Sequence, residues 1–268
     1  MKKALLTVMT VFLVLSFCGF AAAAEKQDAK QIMKASLDMM KLSNMESVST
    51  LIVYDANGNK RVRKFKSASK DFKEQGVKKT IMKFLEPADV KGTGFLTFEY
   101  TEGGKDNDMW MYMPALRKTR RIVSGEKAKS FMGSEFSNSD ISSPKLDEYK
   151  YSLLPDEKIN DIDCWKIELL PASQDVADEY GYSKKEMWIG KADYICRKAE
   201  YYDLDGKLIK VMTTQKVNVL DKDKGLYQAA DITIENVQNS RKSQFLMDKS
   251  AINPDMKDNI FTTDYLQK

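Results

Sequence analysis

Two hydrophobic periods run along this chain. Over residues 26–43, Ala29, Ile32, Met33, Ser36, Leu37 and Met40 recur at three- and four-residue intervals, while Lys30, Lys34, Asp38 and Lys41 fall between them. That spacing puts the first set on one helix face, so the pattern predicts an amphipathic helix whose stripe must be buried. Such a helix either packs on a sheet or lies across a cavity mouth and moves when something enters. From Glu46 onward the period shortens to two. Segments 50–54, 61–66, 78–86, 95–100, 109–113, 187–189, 194–202, 208–219, 232–237 and 243–247 read as strands separated by turn residues. Asn57-Gly58 suits a tight hairpin, because both residues tolerate positive φ. About ten short strands joined by hairpins imply an antiparallel sheet that must curl or close, with 260–266 a short helix or tail. Segment 61–66, Arg61-Val62-Arg63-Lys64-Phe65-Lys66, is basic on both faces, which places it near a sheet edge where charge blocks unwanted pairing.

The first residues read as an export signal. Lys2 and Lys3 precede an apolar run over 4–20, and Ala22-Ala23-Ala24 supplies a small-residue cleavage site, so residue 25 is expected to begin the exported protein. Cys18 raises the alternative of a lipid anchor, but Phe17 stands where a lipoprotein peptidase needs a small residue. The expectation is a soluble periplasmic protein of residues 25–268, a length that suits one large all-β domain or two small ones. Without Lys2 and Lys3 the basic count falls from 43 to 41 against 39 acids. That near-balance argues against nucleic-acid binding, which needs a strong basic bias. The chain has no histidine, which removes His-based triads, HExxH zinc sites and imidazole acid/base catalysis together. Cys164 and Cys196 form either a disulfide or two buried thiols. A strand predicted between them would hold them about 10 Å apart, beyond bridging distance. Two cysteines without histidine make a poor metal site, and no cofactor is expected.

The most informative stretch is 108–140. Met109-Trp110-Met111-Tyr112-Met113 alternates thioether and aromatic side chains, so both faces of that strand are apolar, and Pro114 ends it. A basic cluster follows in Arg117, Lys118, Arg120 and Arg121. A segment punctuated by Gly and Ser then carries Phe131, Met132 and Phe136. An apolar strand, a cationic corner and an apolar loop suit an amphiphile with a greasy tail and an anionic head. An ordinary buried strand followed by a solvated basic turn is the plainer alternative.

The series Trp110, Tyr112, Pro114, Arg120-Arg121-Ile122, Phe131-Met132-Gly133-Ser134, Phe136-Ser137 and Asp140 resembles the bacterial outer membrane lipoprotein-sorting protein family, whose domain is similar to the LolA and LolB carriers. The turn-rich strands through Asp203-Leu204-Asp205-Gly206-Lys207-Leu208 look like the same family, so the resemblance extends over 25–268 as a single carrier domain. It implies a mainly β fold with helices (α+β): an unclosed antiparallel β-barrel, covered by the N-terminal helix and a helical or loop lid, around a hydrophobic cavity. It implies a monomeric periplasmic carrier of lipid or lipoprotein cargo between inner and outer membrane, touching membrane surfaces transiently and, in many members, serving an RND-type transporter. On that basis Trp110, Met111, Tyr112, Phe131, Met132 and Phe136 are expected to line the cavity or its lid, with 125–139 the moving part. Arg117, Arg120 and Arg121 are expected to meet a phosphate or carboxylate headgroup, or a docking partner.

Catalysis finds little support. Asp161 and Asp163, and Asp203 and Asp205, are paired carboxylates, but both pairs sit in turn contexts where Asp serves its own backbone. Asp221-Lys222-Asp223-Lys224-Gly225 lacks the acidic twelfth position of a calcium loop, where Ile232 stands, and reads as a turn. No GxSxG elbow occurs. Of the 15 methionines, all but Met1 and Met9 lie beyond the signal, and flexible thioethers suit a surface that repacks around varied apolar cargo. The expectation is a non-enzymatic carrier; the rival is a periplasmic adaptor of a transporter assembly that never carries cargo.

Overall fold

The computed structural model describes residues 28–40, 44–100, 105–142 and 145–268. The expected export signal, 1–24, lies outside these residues.

Thirteen strands form one antiparallel sheet: β1 (Met45–Tyr54), β2 (Lys60–Phe72), β3 (Val77–Glu86), β4 (Gly94–Tyr100), β5 (Asp108–Met113), β6 (Lys118–Ile122), β7 (Tyr149–Ile159), β8 (Ile162–Pro171), β9 (Lys184–Gly190), β10 (Cys196–Tyr202), β11 (Leu208–Asp221), β12 (Leu226–Asn236) and β13 (Arg241–Ile252). Their order is β6-β5-β4-β3-β2-β1-β13-β12-β11-β10-β9-β8-β7. Two meanders, β1–β6 and β7–β13, are therefore sewn together by the pairing of β1 with β13, in which Leu51 faces Phe245. The sheet does not close, and β6 and β7 are its free edges. Turn chemistry fixes the hairpins. Gly58 (φ 83) reverses β1 into β2, and Asn160 and Asp161 (φ 48 and 64) reverse β7 into β8 in the conformation that matches strand twist.

Period-two alternation gives the sheet two apolar faces. On one, which we term the covered face, Leu51, Val53, Phe65, Phe84, Phe95 and Met109 form one cluster, and Ile167, Leu169, Ile189, Ala199, Tyr201 and Ile234 form a second. Helix α1 (Ala29–Met40) lays Ala29, Ile32 and Met33 on the second cluster, as its periodicity predicts. The opposite face over β2–β5 is covered by the C-terminal residues. Met256, Phe261 and Leu266 of that segment, the last on helix α3 (Thr263–Leu266), pack on Ala68, Ile81 and Leu96. Gly94 is what lets α3 approach: a Cβ there would stand 2.6 Å from Leu266 Cδ1. Further along the opposite face the surface is charged, with Lys166, Glu157, Glu186 and Lys184 paired around the buried Trp188. Among the described residues no helix is long and apolar enough to cross a membrane.

Three expectations change. The pattern suggests about ten strands, and the structure adds β6, β7 and β8; a short helix α2 (Gln174–Tyr180) also appears. The edge strands β6 and β7 bury almost nothing, so they carry no period-two signal, and the edge position also tolerates Pro155 within β7. The basic segment 61–66 is not at an edge, since β2 lies between β1 and β3. Its pairing with β3 begins only at Lys64, so residues 60–63 have a neighbour on one side alone; Lys60 and Arg61 keep their charges in solvent, while Arg63 is half-buried. The cationic corner, likewise, is largely the edge strand β6; only Arg117, with φ 48, belongs to the turn before it.

Candidate functional site

Topology creates the site. β6 and β7 follow one another in sequence but lie at opposite edges of the sheet, so residues 123–148 must cross its covered face to connect them. A connection this long without strands is unusual and commonly functional. It is built from short 3-10 turns at Ser124–Glu126, Phe131–Gly133, Asn138–Ile141 and Leu146–Glu148. Consecutive left-handed residues, Met132 (φ 50) and Gly133 (φ 70), fold the chain back so that Phe131 N donates to Phe136 O at 2.7 Å. A capping box then starts the next turn: Ser137 N donates to Asp140 Oδ2 at 2.7 Å, and Asp140 N to Ser137 Oγ at 3.3 Å.

This fold drives two phenylalanines toward the sheet. Phe131 is buried against Phe95 and Phe84, with ring centroids 4.8 and 6.2 Å away. Phe136 bridges the two covered-face clusters. Polar contacts seat the segment. Glu135 is 6% exposed. Its carboxylate takes Arg241 Nε at 3.0 Å and Asn236 Nδ2 at 3.1 Å, its N donates to Ser243 Oγ at 2.9 Å, and its carbonyl accepts Lys210 Nζ at 2.8 Å. Arg241 also donates to Gly133 O at 2.8 Å, and Arg63 donates to Met132 O.

Beside this seat lies a second polar group within the apolar face. Lys185, 9% exposed, is surrounded by the rings of Tyr149, Tyr180, Tyr182 and Tyr201, with centroids 5.5, 5.5, 5.0 and 5.2 Å from its Nζ. Burial lowers its pKa; Asp140 and Glu148 oppose that shift, and Lys210 adds to it. Tyr180 Oη donates to Glu148 Oε2 at 2.5 Å, and Lys210 Nζ donates to Tyr182 Oη at 3.2 Å. Burial raises the hydroxyl pKa values of Tyr149, Tyr180, Tyr182 and Tyr201, so all four stay protonated.

The residues that the sequence singles out are divided between the two faces. Met111, Phe131, Met132 and Phe136 meet on the covered face. Trp110 and Tyr112 alternate away from Met111 and pack under the C-terminal segment, Trp110 edge-on to Phe98 at 4.9 Å. The arginines divide in the same way, since Arg120 pairs in register with Met111 and Arg121 with Trp110. Arg120 binds Glu126 at 2.6 Å, Arg121 binds Asp108, and Arg117 is exposed at its turn. Cys164 and Cys196 are both free thiols with β9 between their strands. Cys196 packs against the covered-face cluster, and burial pushes its pKa up to about 12. The space expected for cargo holds the protein's own Phe131 and Phe136. Open grooves lie elsewhere, one of about 660 Å³ beside Ile162, Asp163, Lys191 and Ala192 and one of about 290 Å³ beside Leu170, Ser173 and Leu204. Of the paired carboxylates, Asp203 serves its turn, with Oδ1 accepting from the backbone of Asp205 and Lys207 at 3.1 and 2.8 Å, whereas Asp163 lies in β8 and pairs across to Lys158 at 3.5 Å. Sequence patterning overlooked Glu135, Lys185, Lys210, Asn236, Arg241 and Ser243. The available signal was parity, since Lys185 shares its strand face with the apolar Met187 and Ile189.

Comparison with known proteins places this geometry. Residues 76–268 match a family described as "Uncharacterized protein"-like. Among solved structures, a domain described as a candidate outer membrane lipoprotein-sorting protein from Vibrio parahaemolyticus is 27% identical, with a TM-score of 0.80 over 90% of this chain and 98% of that one. A DUF1329 family protein from Desulfovibrio piger is 28% identical, with a TM-score of 0.79 over 89% and 98% of the two chains. A LolA superfamily protein from Nitrosomonas europaea, 22% identical, superposes with a TM-score of 0.67 over 89% and 99%. No curated protein sequence matches. The fold is LolA-like, of the lipoprotein-sorting or carrier type.

Proposed function

The chain belongs to the family matched over residues 76–268, and from that premise, together with its LolA-like fold, we propose that it is a periplasmic carrier that takes the apolar part of a lipid or lipoprotein beneath its crossing segment. One observation carries the proposal: the apolar covered face of an unclosed sheet is masked by a separate segment that inserts Phe131 and Phe136 where hydrocarbon would lie. Magnitudes favour exchange. A fourteen-carbon chain gains on the order of 10 kcal/mol on burial at about 0.8 kcal/mol per methylene. Withdrawing two phenylalanines costs roughly 3–6 kcal/mol, so cargo can displace the segment and the segment can later help expel cargo. Met111 and Met132 border the same space and suit varied chain shapes. Export by a cleaved signal over 1–24, a monomeric state, transient contact with membrane surfaces and hand-over to an RND-type transporter belong to the same proposal, which includes no catalytic step. Mass spectrometry of organic extracts from natively purified protein tests it, with co-purified lipid expected. Lipid-free protein that also fails to take up a fluorescent fatty acid overturns it. The exposed basic edge strand β6 favours a second function as a docking adaptor; crosslinking to an inner-membrane permease without recoverable lipid would select that function.

A further inference from the structure

We propose that Lys185, Lys210 and Arg241 form an anion seat beneath the crossing segment, which takes the carboxylate or phosphate of an amphiphile whose hydrocarbon lies on the neighbouring apolar clusters. The inference rests on the carrier function above and adds the chemistry of the cargo's polar end. Register lines the three residues up. Lys185 faces Tyr201, Tyr201 faces Lys210, Lys210 faces Asn236 and Asn236 faces Arg241, so every second strand from β9 to β13 places a cation in one row across the covered face. Cations on an apolar face are costly unless something neutralises them.

The crossing segment supplies oxygens to part of this row. Glu135 meets Arg241 with its carboxylate and Lys210 with its carbonyl. Lys185 differs: its rings soften the cost of a buried ammonium, but among the described residues no oxygen accepts a hydrogen bond from it. The charges of Asp140 and Glu148 act on it favourably from nearby, and that of Lys210 acts against it. Tyr149 Oη, in the same cage, is buried without a partner. Unsatisfied donors inside a covered space are rare in folded proteins, and an incoming acidic group would satisfy these. In the closed form Asp140 and Glu135 stand in for the acid of the cargo.

The test compares a dansyl-labelled fatty acid with the matching fatty alcohol by fluorescence titration of the full chain. Wild-type protein is expected to prefer the acid. In Lys185→Met the acid-to-alcohol affinity ratio should fall about tenfold or more, the worth of a charge-assisted hydrogen bond. An unchanged ratio overturns the seat. Asp140→Asn removes the competing carboxylate and should raise the ratio; it decides the question alone if Lys185→Met does not fold. Acetate in large molar excess should leave the acid probe bound, and displacement would overturn assignment to an amphiphile. Wild-type protein that binds both probes equally overturns the seat and leaves the carrier function standing, whereas protein that binds neither overturns both.

Discussion

Replacing Glu135 by alanine should loosen the crossing segment while leaving the sheet intact. The substitution removes the acceptor of Asn236 Nδ2, and Asn236 is only 6% exposed. Leaving such a donor unsatisfied costs about 1–3 kcal/mol. The ion pair with Arg241 adds less, because that side chain is 39% exposed and pairs open to solvent contribute about 1 kcal/mol or less. The backbone bonds from Glu135 N to Ser243 Oγ and from Lys210 to Glu135 O survive the change. A net loss of about 2 kcal/mol multiplies the open population of the segment roughly thirtyfold. Hydrogen exchange read by mass spectrometry measures this at the amides of Phe131, Ser134, Asn138 and Ser139, all of which donate to carbonyls within the segment. Their protection should fall about thirtyfold, with peptides from β1 and β13 unchanged. Glu135→Gln keeps an oxygen for Asn236 and should lose only a few-fold in protection. Equal loss in segment and sheet would refute the reasoning, because it would make the segment part of the global unfolding unit. No loss anywhere would show that the seat contributes nothing.

Three further outcomes follow from the structure. Lys185→Met should be more stable than wild type at neutral pH, with the difference shrinking as pH rises toward 10.5: burial lowers the folded pKa from that ordinary value, so the unfolded chain holds more protons in this window and wild-type stability rises through it. Urea unfolding from pH 7 upward reads this, and a widening gap refutes it. Cys164 and Cys196 should resist iodoacetamide in the folded protein, where burial raises both pKa values, and should alkylate after unfolding without reductant; a disulfide-linked peptide would contradict that. Gly94→Ala should cost about 1–3 kcal/mol by pressing α3 off β4 through Leu266, or roughly 2–10 °C in Tm, and an unchanged melting curve would show that α3 gives way freely.

Most of the sheet was legible because burial on one face writes a period of two into the sequence. β5 is the clearest case: its two apolar faces announced two packing partners, and the structure supplies the crossing segment on one and the C-terminal residues on the other. What the sequence could not convey was which residues fall on which side of one wall, so Trp110 and Phe131 were grouped although a strand's thickness separates them. β6 and β7 stayed hidden because edge strands bury too little to show a period. The polar seat was hidden for a different reason. Glu135, Lys185 and Lys210 look like ordinary surface charges in sequence, and only the register that brings Lys210 beside Tyr201 and Asn236 reveals that they face inward.

The same topology limits how the crossing segment can move. It is tied into paired strands at both ends, with Ile122 against Met109 and Tyr149 against Pro171, so it can lift but cannot leave. Residues 123–148 are long enough for this, since a fully extended chain of that length would reach about 85 Å. In the closed form the excess is stored in 3-10 turns whose few internal bonds cost little to open. Opening therefore need not unzip β6 or β7, and its free energy resides in the buried rings of Phe131 and Phe136, in the contacts of Glu135 and in the bonds from Arg63 and Arg241 to the carbonyls of Met132 and Gly133. Hydrocarbon can replace the rings and an acid can replace the carboxylate, so an amphiphile that offers both can substitute for each part of the segment's seat in turn.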